Sequence, residues 1–204
     1  MPNWKTHIEI AKRISEKLNI TNNELNEFMI GSILPDINNG YVVKKISNIY
    51  SHKKTHYEEN GGITYVNFYN QYKNLIKEPL ILGYYVHLYT DYIWNNDFYS
   101  RIEKNVNYCN YTSNELREIK HNDFKLYNNK YVKNTIDIIN ISEVLSKIKL
   151  INNVSINKKD LINVIEYLNT YNIFLSTYKF YKDKEMDHLL EDVVKSICEK
   201  NIDV

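Results

Sequence analysis

The sequence predicts an all-α protein, a single-domain multi-helix bundle, and three observations carry that prediction. Apolar residues recur at spacings of three and four along most of the 204-residue chain, the period of helices that bury one face. Two Thr-x-x-Glu pairs, Thr6 with Glu9 and Thr21 with Glu24, have the pattern of capping boxes, which satisfy the free N–H groups of a helix start. Only 5 glycines occur, and there is no linker rich in Pro, Gly or Ser and no internal repeat, so tight connections within one domain spanning 1–204 are expected.

Taken in order, the first helix is expected to start at Thr6, with Ile8, Ala11, Ile14 and Leu18 on its buried face and Trp4 stapling its start. His7 then falls in the first turn, where the helix dipole disfavours protonation and leaves a neutral imidazole able to bind metal. An exposed histidine without a role fits the sequence equally well. The second helix opens at Thr21, carries Leu25, Phe28, Met29 and Ile33, and is expected to stop at Pro35. That stop would leave Asp36 at the end of a buried helix, although Pro-Asp is also a common turn. Gly31 is small enough to admit another helix close by. Residues 38–62 form the one long irregular stretch, with Asn39, Gly40, Gly61 and Gly62 as breakers. At its centre SHKKTHYE places His52 and His56 four apart beside Lys53 and Lys54, either as surface residues or as part of a site. Val66, Phe68, Tyr69, Tyr72 and Leu75 then give a helix over 64–76.

Residues 79–94, PLILGYYVHLYTDYIW, are the buried helix around which the chain is organised. Pro79 suits a first turn, where its missing N–H is not needed. His87 and Asp91 are polar groups that an apolar helix has no packing reason to carry, and their i, i+4 spacing sets them on one face. They either hydrogen-bond each other in the core or grip one metal ion, for which the rest of the chain must supply further ligands. After Trp94 a short continuing helix is expected, then a connection over 107–113 and a helix over about 114–127 with Leu116, Ile119 and Phe124 buried and His121 and Asp123 near its middle. VKNTIDIINISEVL reads as loop and helix rather than strand. Helices over 157–168 and 182–199 complete the set, the last with Met186, Leu189, Leu190, Val193, Val194 and Ile197 as its buried stripe. His188 and Asp192 repeat the i, i+4 spacing there but flank an ordinary stripe and read as scaffold.

Composition narrows the function. With 26 Lys and Arg against 25 Asp and Glu the net charge is +1, so no global field draws in nucleic acid or an anionic membrane. The 19 tyrosines, beside abundant Asn, Lys and Ile, read as codon bias before they read as a base-stacking platform. Cys109 and Cys198 lie far apart with no CxxC, which points to reduced thiols rather than a disulfide or cysteine-zinc framework. No secretory signal and no apolar run of membrane-spanning length is visible, so a soluble, cytoplasmic protein is expected.

Together, His7, the Pro35-Asp36 pair in GSILPDI, a histidine from SHKKTHYE, and His87 and Asp91 in GYYVHLYTD occur in an order that resembles the zinc-dependent phospholipase C family, helical bundles related to the P1-type nucleases. The resemblance covers roughly 4–94, which makes about 1–94 the metal-site half and about 95–204 the helical scaffold. It implies that Asp36, a loop histidine, His87 and Asp91 hold one ion, with His56 ranked ahead of His52, and that His7 and a shared Asp91 hold a second. Secreted members also use the N-terminal amino group and carbonyl of a Trp, whereas Trp4 is internal. The His, His, Glu trio of a third ion is absent between Trp94 and Asn114. One or two divalent ions per chain are therefore expected, zinc first, with iron and manganese suited to the same donors.

Such a site implies a metal-dependent phosphoester hydrolase, a phosphodiesterase or phospholipase C-like enzyme, in which metal-activated water attacks phosphorus. Asp36 and Asp91 would be its catalytic carboxylates, and Lys53 or Lys54 would meet the substrate phosphate. The alternatives are a non-catalytic helical module that binds metal or a partner, and an HD-type nucleotide phosphohydrolase, although the His-Asp doublet of that type is missing. A nucleic-acid binder built on Lys, Asn and Tyr is disfavoured by the balanced charge.

Overall fold

A computed structural model describes residues 2–39, 46–59, 62–104, 108, 110–133, 135–170 and 177–199, the side chains of 22 and 23 excepted. Among these residues all regular structure is helical apart from one isolated bridge, Glu59 to Gly62. The helices are α1 (Trp4–Leu18), α2 (Asn22–Gly31), α3 (Leu34–Ile37), α4 (His52–Thr55), α5 (Tyr65–Tyr72), α6 (Pro79–Lys104), α7 (Ser113–Tyr131), α8 (Ile141–Ile148), α9 (Lys158–Thr170) and α10 (Asp183–Glu199). The all-α expectation holds, including the loop and helix read from VKNTIDIINISEVL. Cys109, Gly40 and Gly61 lie outside the described residues.

Several boundaries differ from expectation, each for a local reason. α1 starts at Trp4 rather than Thr6, because Asn3 is the cap, its side chain accepting from the Thr6 N–H. Glu9 is not in a capping box but in an ion pair with Arg13, at 2.8 Å. Trp4 is thus the first helical residue rather than a staple before the helix, and its ring meets Tyr167 edge-on. The Thr21 and Glu24 box does form. Pro35 does not end α2. That helix finishes at Gly31, and Pro35 sits near the start of α3, where no N–H is required of it. Asp36 therefore belongs to the first turn of a short buried helix. The separate helix expected after Trp94 is instead the end of α6, which runs 26 residues because nothing between Trp94 and Lys104 breaks it and an Asp97–Arg101 pair at 2.6 Å supports its outer face.

α6 is the axis of the bundle. It packs against α1, α2, α3, α5, α8 and α10. Its residues from Leu80 to Asp91 are all buried, which explains why the segment reads as apolar on every side. The approach of α2 is set by two glycines. A Cβ on Gly31 would stand 2.2 Å from the Leu80 carbonyl oxygen, and one on Gly83 would stand 2.2 Å from the Phe28 carbonyl oxygen. Neither position has room for a side chain, so the helices touch backbone to backbone. On the remaining sides, Phe68 of α5 stacks on Tyr84, Trp94 meets Phe124 of α7, and the expected stripe of α10 is buried. His188 and Asp192 are exposed, as scaffold residues should be. α7 is also held by Asp123, which accepts backbone N–H groups from Lys179, Phe180 and Tyr181 at 2.9, 2.6 and 2.7 Å.

Candidate metal site

Backbone-close packing of α2 on α6 brings four segments to one point. α6 presents His87 and Asp91 one turn apart, α1 presents His7, α3 presents Asp36, and the residue after α4 is His56. All five are buried, with His56, His87 and Asp91 at 0 % exposure. Five ionisable side chains converging in an apolar interior carry a large desolvation cost, which must be met by mutual pairing or by an ion.

The distances show how they converge. Nε2 of His56 and Nε2 of His87 are 3.2 Å apart, and each is 3.3 Å from Asp91 Oδ2. These three atoms make a nearly equilateral triangle. Asp36 Oδ1 lies 3.5 Å from His56 Nε2, and the other Asp91 oxygen, Oδ1, faces His7 Nε2 at 3.4 Å. Two sets of donor atoms are close enough to surround an ion: His7, His87 and Asp91, and Asp36, His56 and His87. The His7 ring stacks on His87 with centroids 3.8 Å apart.

Tautomers follow from the hydrogen bonds. His87 Nδ1 is 2.7 Å from the Ser32 carbonyl oxygen, which can only accept, so Nδ1 carries the proton. His56 Nδ1 is 3.2 Å from the His52 carbonyl oxygen, with the same consequence. In their neutral forms both histidines therefore point bare Nε2 lone pairs at one another and at a carboxylate. That arrangement is repulsive unless a cation lies between them, and Nδ1 bound to a backbone carbonyl is how metal-ligating histidines are commonly oriented. Both nitrogens of His7 and both oxygens of Asp91 are buried without a hydrogen bond of good geometry, a second sign that these groups fit an ion.

Electrostatics agree. Burial, then the charge of His87, pushes His7 down from 6.5 to about 4 against the pull of Asp91, leaving a neutral imidazole. Burial also acts downward on His87, but the charge and close contact of Asp91, with Asp36 and the Ser32 carbonyl, outweigh it and raise its pKa. Burial alone would raise Asp91; His87 and the contacts of the three imidazoles instead hold it well below the usual carboxylate range.

Of the residues singled out in the sequence, His7, Asp36, His56, His87 and Asp91 come together, and His52, Lys53 and Lys54 do not join them. His52 lies outside both donor sets: its ring stacks on His56 at 3.6 Å and its Nδ1 meets Glu58 at 2.5 Å. Lys53 and Lys54 are exposed on α4, where they help line a surface groove with Tyr57, Asn67 and Asn153; Lys54 also lies over the Tyr50 ring. Sequence reasoning missed Ser32, Asn39 and Thr55, which bind the ligand side chains from behind. The available signal was polar residues next to candidate ligands: Thr55 immediately precedes His56, and Asn39 follows Asp36 by three.

Among the described residues no helix is long and apolar enough to cross a membrane. No curated protein and no solved structure matches the chain. A family profile does match, that of zinc dependent phospholipase C, over residues 6–167. The match takes in all five converging side chains and extends well past the motifs around Asp36 and His87. Most of the sequence, and the His and Asp donors it gathers on α6, therefore place this chain in the zinc-dependent phospholipase C family of metal-dependent hydrolases.

Proposed function

We propose that the protein is a metal-dependent phosphoester hydrolase in which Asp36, His56, His87 and Asp91 hold one divalent ion, zinc by preference, and His7 with the second oxygen of Asp91 faces a second. The observation that carries this reading is the triangle of two bare Nε2 atoms and one carboxylate oxygen with sides of 3.2–3.3 Å. Zinc with N and O ligands at about 2.0–2.1 Å in a tetrahedron sets its ligands about 3.3–3.4 Å apart. The spacing and the donor chemistry both fit.

When bound, a divalent ion lowers the pKa of water and draws charge from phosphoryl oxygens. The side chains divide the remaining work. His56 and His87 present fixed lone pairs, because Ser32, Thr55 and the His52 carbonyl hold their other nitrogens. Asp91, flanked by three imidazoles, stays anionic, with Oδ1 toward His7 and Oδ2 toward His56 and His87, and His87 is common to the two donor sets. Asp36 is the least buried of the five, its side chain 8 % exposed, and so is the carboxylate best placed to take a proton from an arriving water. Lys53 and Lys54, on the next turn of chain, supply positive charge for a phosphate approaching from the α4 side.

One observation favours a second reading, a metal-binding module without catalysis. The five groups are buried, and neither of two surface grooves, beside α4 and between α2 and α8, is lined by any of them. Closed sites with four protein ligands are the structural kind. Zinc analysis of protein purified without chelator, followed by hydrolysis of bis-p-nitrophenyl phosphate with added zinc or manganese, separates the readings. The hydrolase predicts close to one or two equivalents of metal and activity that disappears in both His87→Ala and Asp91→Ala. Bound metal with no hydrolysis selects the passive module; less than about half an equivalent of any metal removes both.

A further inference from the structure

We infer that Thr55 and Asn39 are positioning residues that fix the orientation of two ligands at once, His56 and Asp36. The inference rests on the metal-site reading above and extends it to side chains that would not touch the ion. Thr55 is wholly buried, and its Oγ1 stands 3.0 Å from His56 Nδ1, 3.1 Å from Asn39 Oδ1 and 3.2 Å from the His52 carbonyl oxygen. A hydroxyl has one proton and two lone pairs, so these contacts cannot all be donations.

The direction is set from the far end. Asn39 Nδ2 is 3.1 Å from the Pro35 carbonyl oxygen, which only accepts, and 3.2 Å from Asp36 Oδ1. The amide nitrogen thus faces Asp36, and Oδ1 is left to accept from Thr55. With the Thr55 proton directed to Asn39, a Thr55 lone pair is available to the His56 Nδ1–H. Donation runs in one sense, from His56 to Thr55 to Asn39 to Asp36. The consequence at one end is a bare His56 Nε2 aimed into the site. At the other end, Asp36 Oδ1 is held by an N–H and the carboxylate cannot swing. The Thr55 carbonyl in turn accepts the Tyr84 hydroxyl at 2.5 Å, which ties this chain of bonds to α6, the helix carrying His87 and Asp91. A single threonine therefore couples ligands from α3, from the residue after α4 and from the central helix.

Thr55→Val keeps the shape and removes the hydroxyl, whereas Thr55→Ser keeps the hydroxyl. Asn39→Ala removes the link to Asp36. Zinc affinity by competition with a chromophoric chelator, and the visible absorption of the cobalt-substituted protein, are measured for wild type and all three variants, together with thermal unfolding of the metal-free forms. Loss of outer hydrogen-bond partners typically weakens metal binding about 10- to 100-fold. The expected result is a loss of that size in Thr55→Val and Asn39→Ala with altered cobalt bands, and near wild-type affinity and spectrum in Thr55→Ser. Wild-type affinity and cobalt spectrum in Thr55→Val overturn the inference while leaving the metal site standing. Should Thr55→Val not fold, Asn39→Ala decides by the same two readouts, and unchanged values there overturn it. A wild-type protein that binds no zinc removes the metal site itself, and this inference with it.

Discussion

Replacing Gly83 by alanine tests whether the fold and the site depend on the same contact. The added Cβ would meet the Phe28 carbonyl oxygen at 2.2 Å, the Ser32 nitrogen at 2.8 Å and the Gly31 Cα at 2.9 Å, all of them backbone atoms that no rotamer change can move. A carbon and an oxygen pack no closer than about 3.2 Å, so α2 must withdraw from α6 by about 1 Å. Alanine gains about 1 kcal/mol of helix propensity over glycine, while overpacking of this kind costs about 3 kcal/mol or more, so the clash wins. In a chain of this size the net loss corresponds to a fall in Tm of roughly 4–8 °C. The effect reaches the site because Ser32 is one of the clashing residues and its carbonyl holds His87 Nδ1 at 2.7 Å. A further displacement of about 1 Å takes that bond past hydrogen-bonding range. Thermal unfolding of the metal-free protein and zinc competition are the assays, with Gly62→Ala as the control, since a Cβ there meets nothing nearer than the Glu59 carbonyl oxygen at 4.0 Å. A Gly83→Ala protein as stable as wild type and with equal zinc affinity would refute the reasoning.

Three further outcomes follow from the electrostatics and the scaffold. His87 has a raised pKa, through Asp91, Asp36 and the Ser32 carbonyl overcoming burial, so below that pKa zinc must displace its proton, and apparent affinity is expected to fall about tenfold per pH unit; affinity constant from pH 5.5 to 8.5 contradicts this. His7 has the opposite sign: held at about 4, mainly by burial, against 6.5 when unfolded, it lets the unfolded chain bind the extra proton, so metal-free stability is expected to drop as pH falls from 6.5 towards 4, by roughly 3 kcal/mol from this group, as read by urea midpoints across that window. Asp123→Ala leaves the backbone N–H groups of Lys179, Phe180 and Tyr181 without their acceptor, at a cost of about 3 kcal/mol or more; the midpoint should drop while zinc affinity of the folded protein stays within about threefold, and an unchanged midpoint refutes the clamp.

The amino-acid sequence by itself determined the helical class and the central buried segment, and it offered a set of candidate donors that includes the five that converge. Helical period and capping chemistry are local properties, and His87 and Asp91 stand out because a polar pair on an apolar face has few explanations. Gly31 could be read as a small residue facing another helix, but its counterpart Gly83 could not, because a close approach is a property of two helices and appears only when they are set side by side. The helix boundaries at Asn3, Pro35 and Lys104 differ from the sequence expectation for a related reason: propensity at a terminus is worth about 1 kcal/mol, less than the packing that decides whether a turn is added.

The resemblance ranks His56 ahead of His52, but only the tertiary structure separates the two in space. Both lie in the same polar loop segment, and only the turn after α4 sets His56 beside Asp91 and leaves His52 stacked behind it against Glu58. Tertiary structure also supplied Ser32, Asn39 and Thr55, whose importance depends on which atom each one faces. Hydrogen bonds that orient a ligand are short-range and directional, so they leave no periodic trace in a sequence; they exist only once the segments that carry them have been brought within about 3 Å of each other.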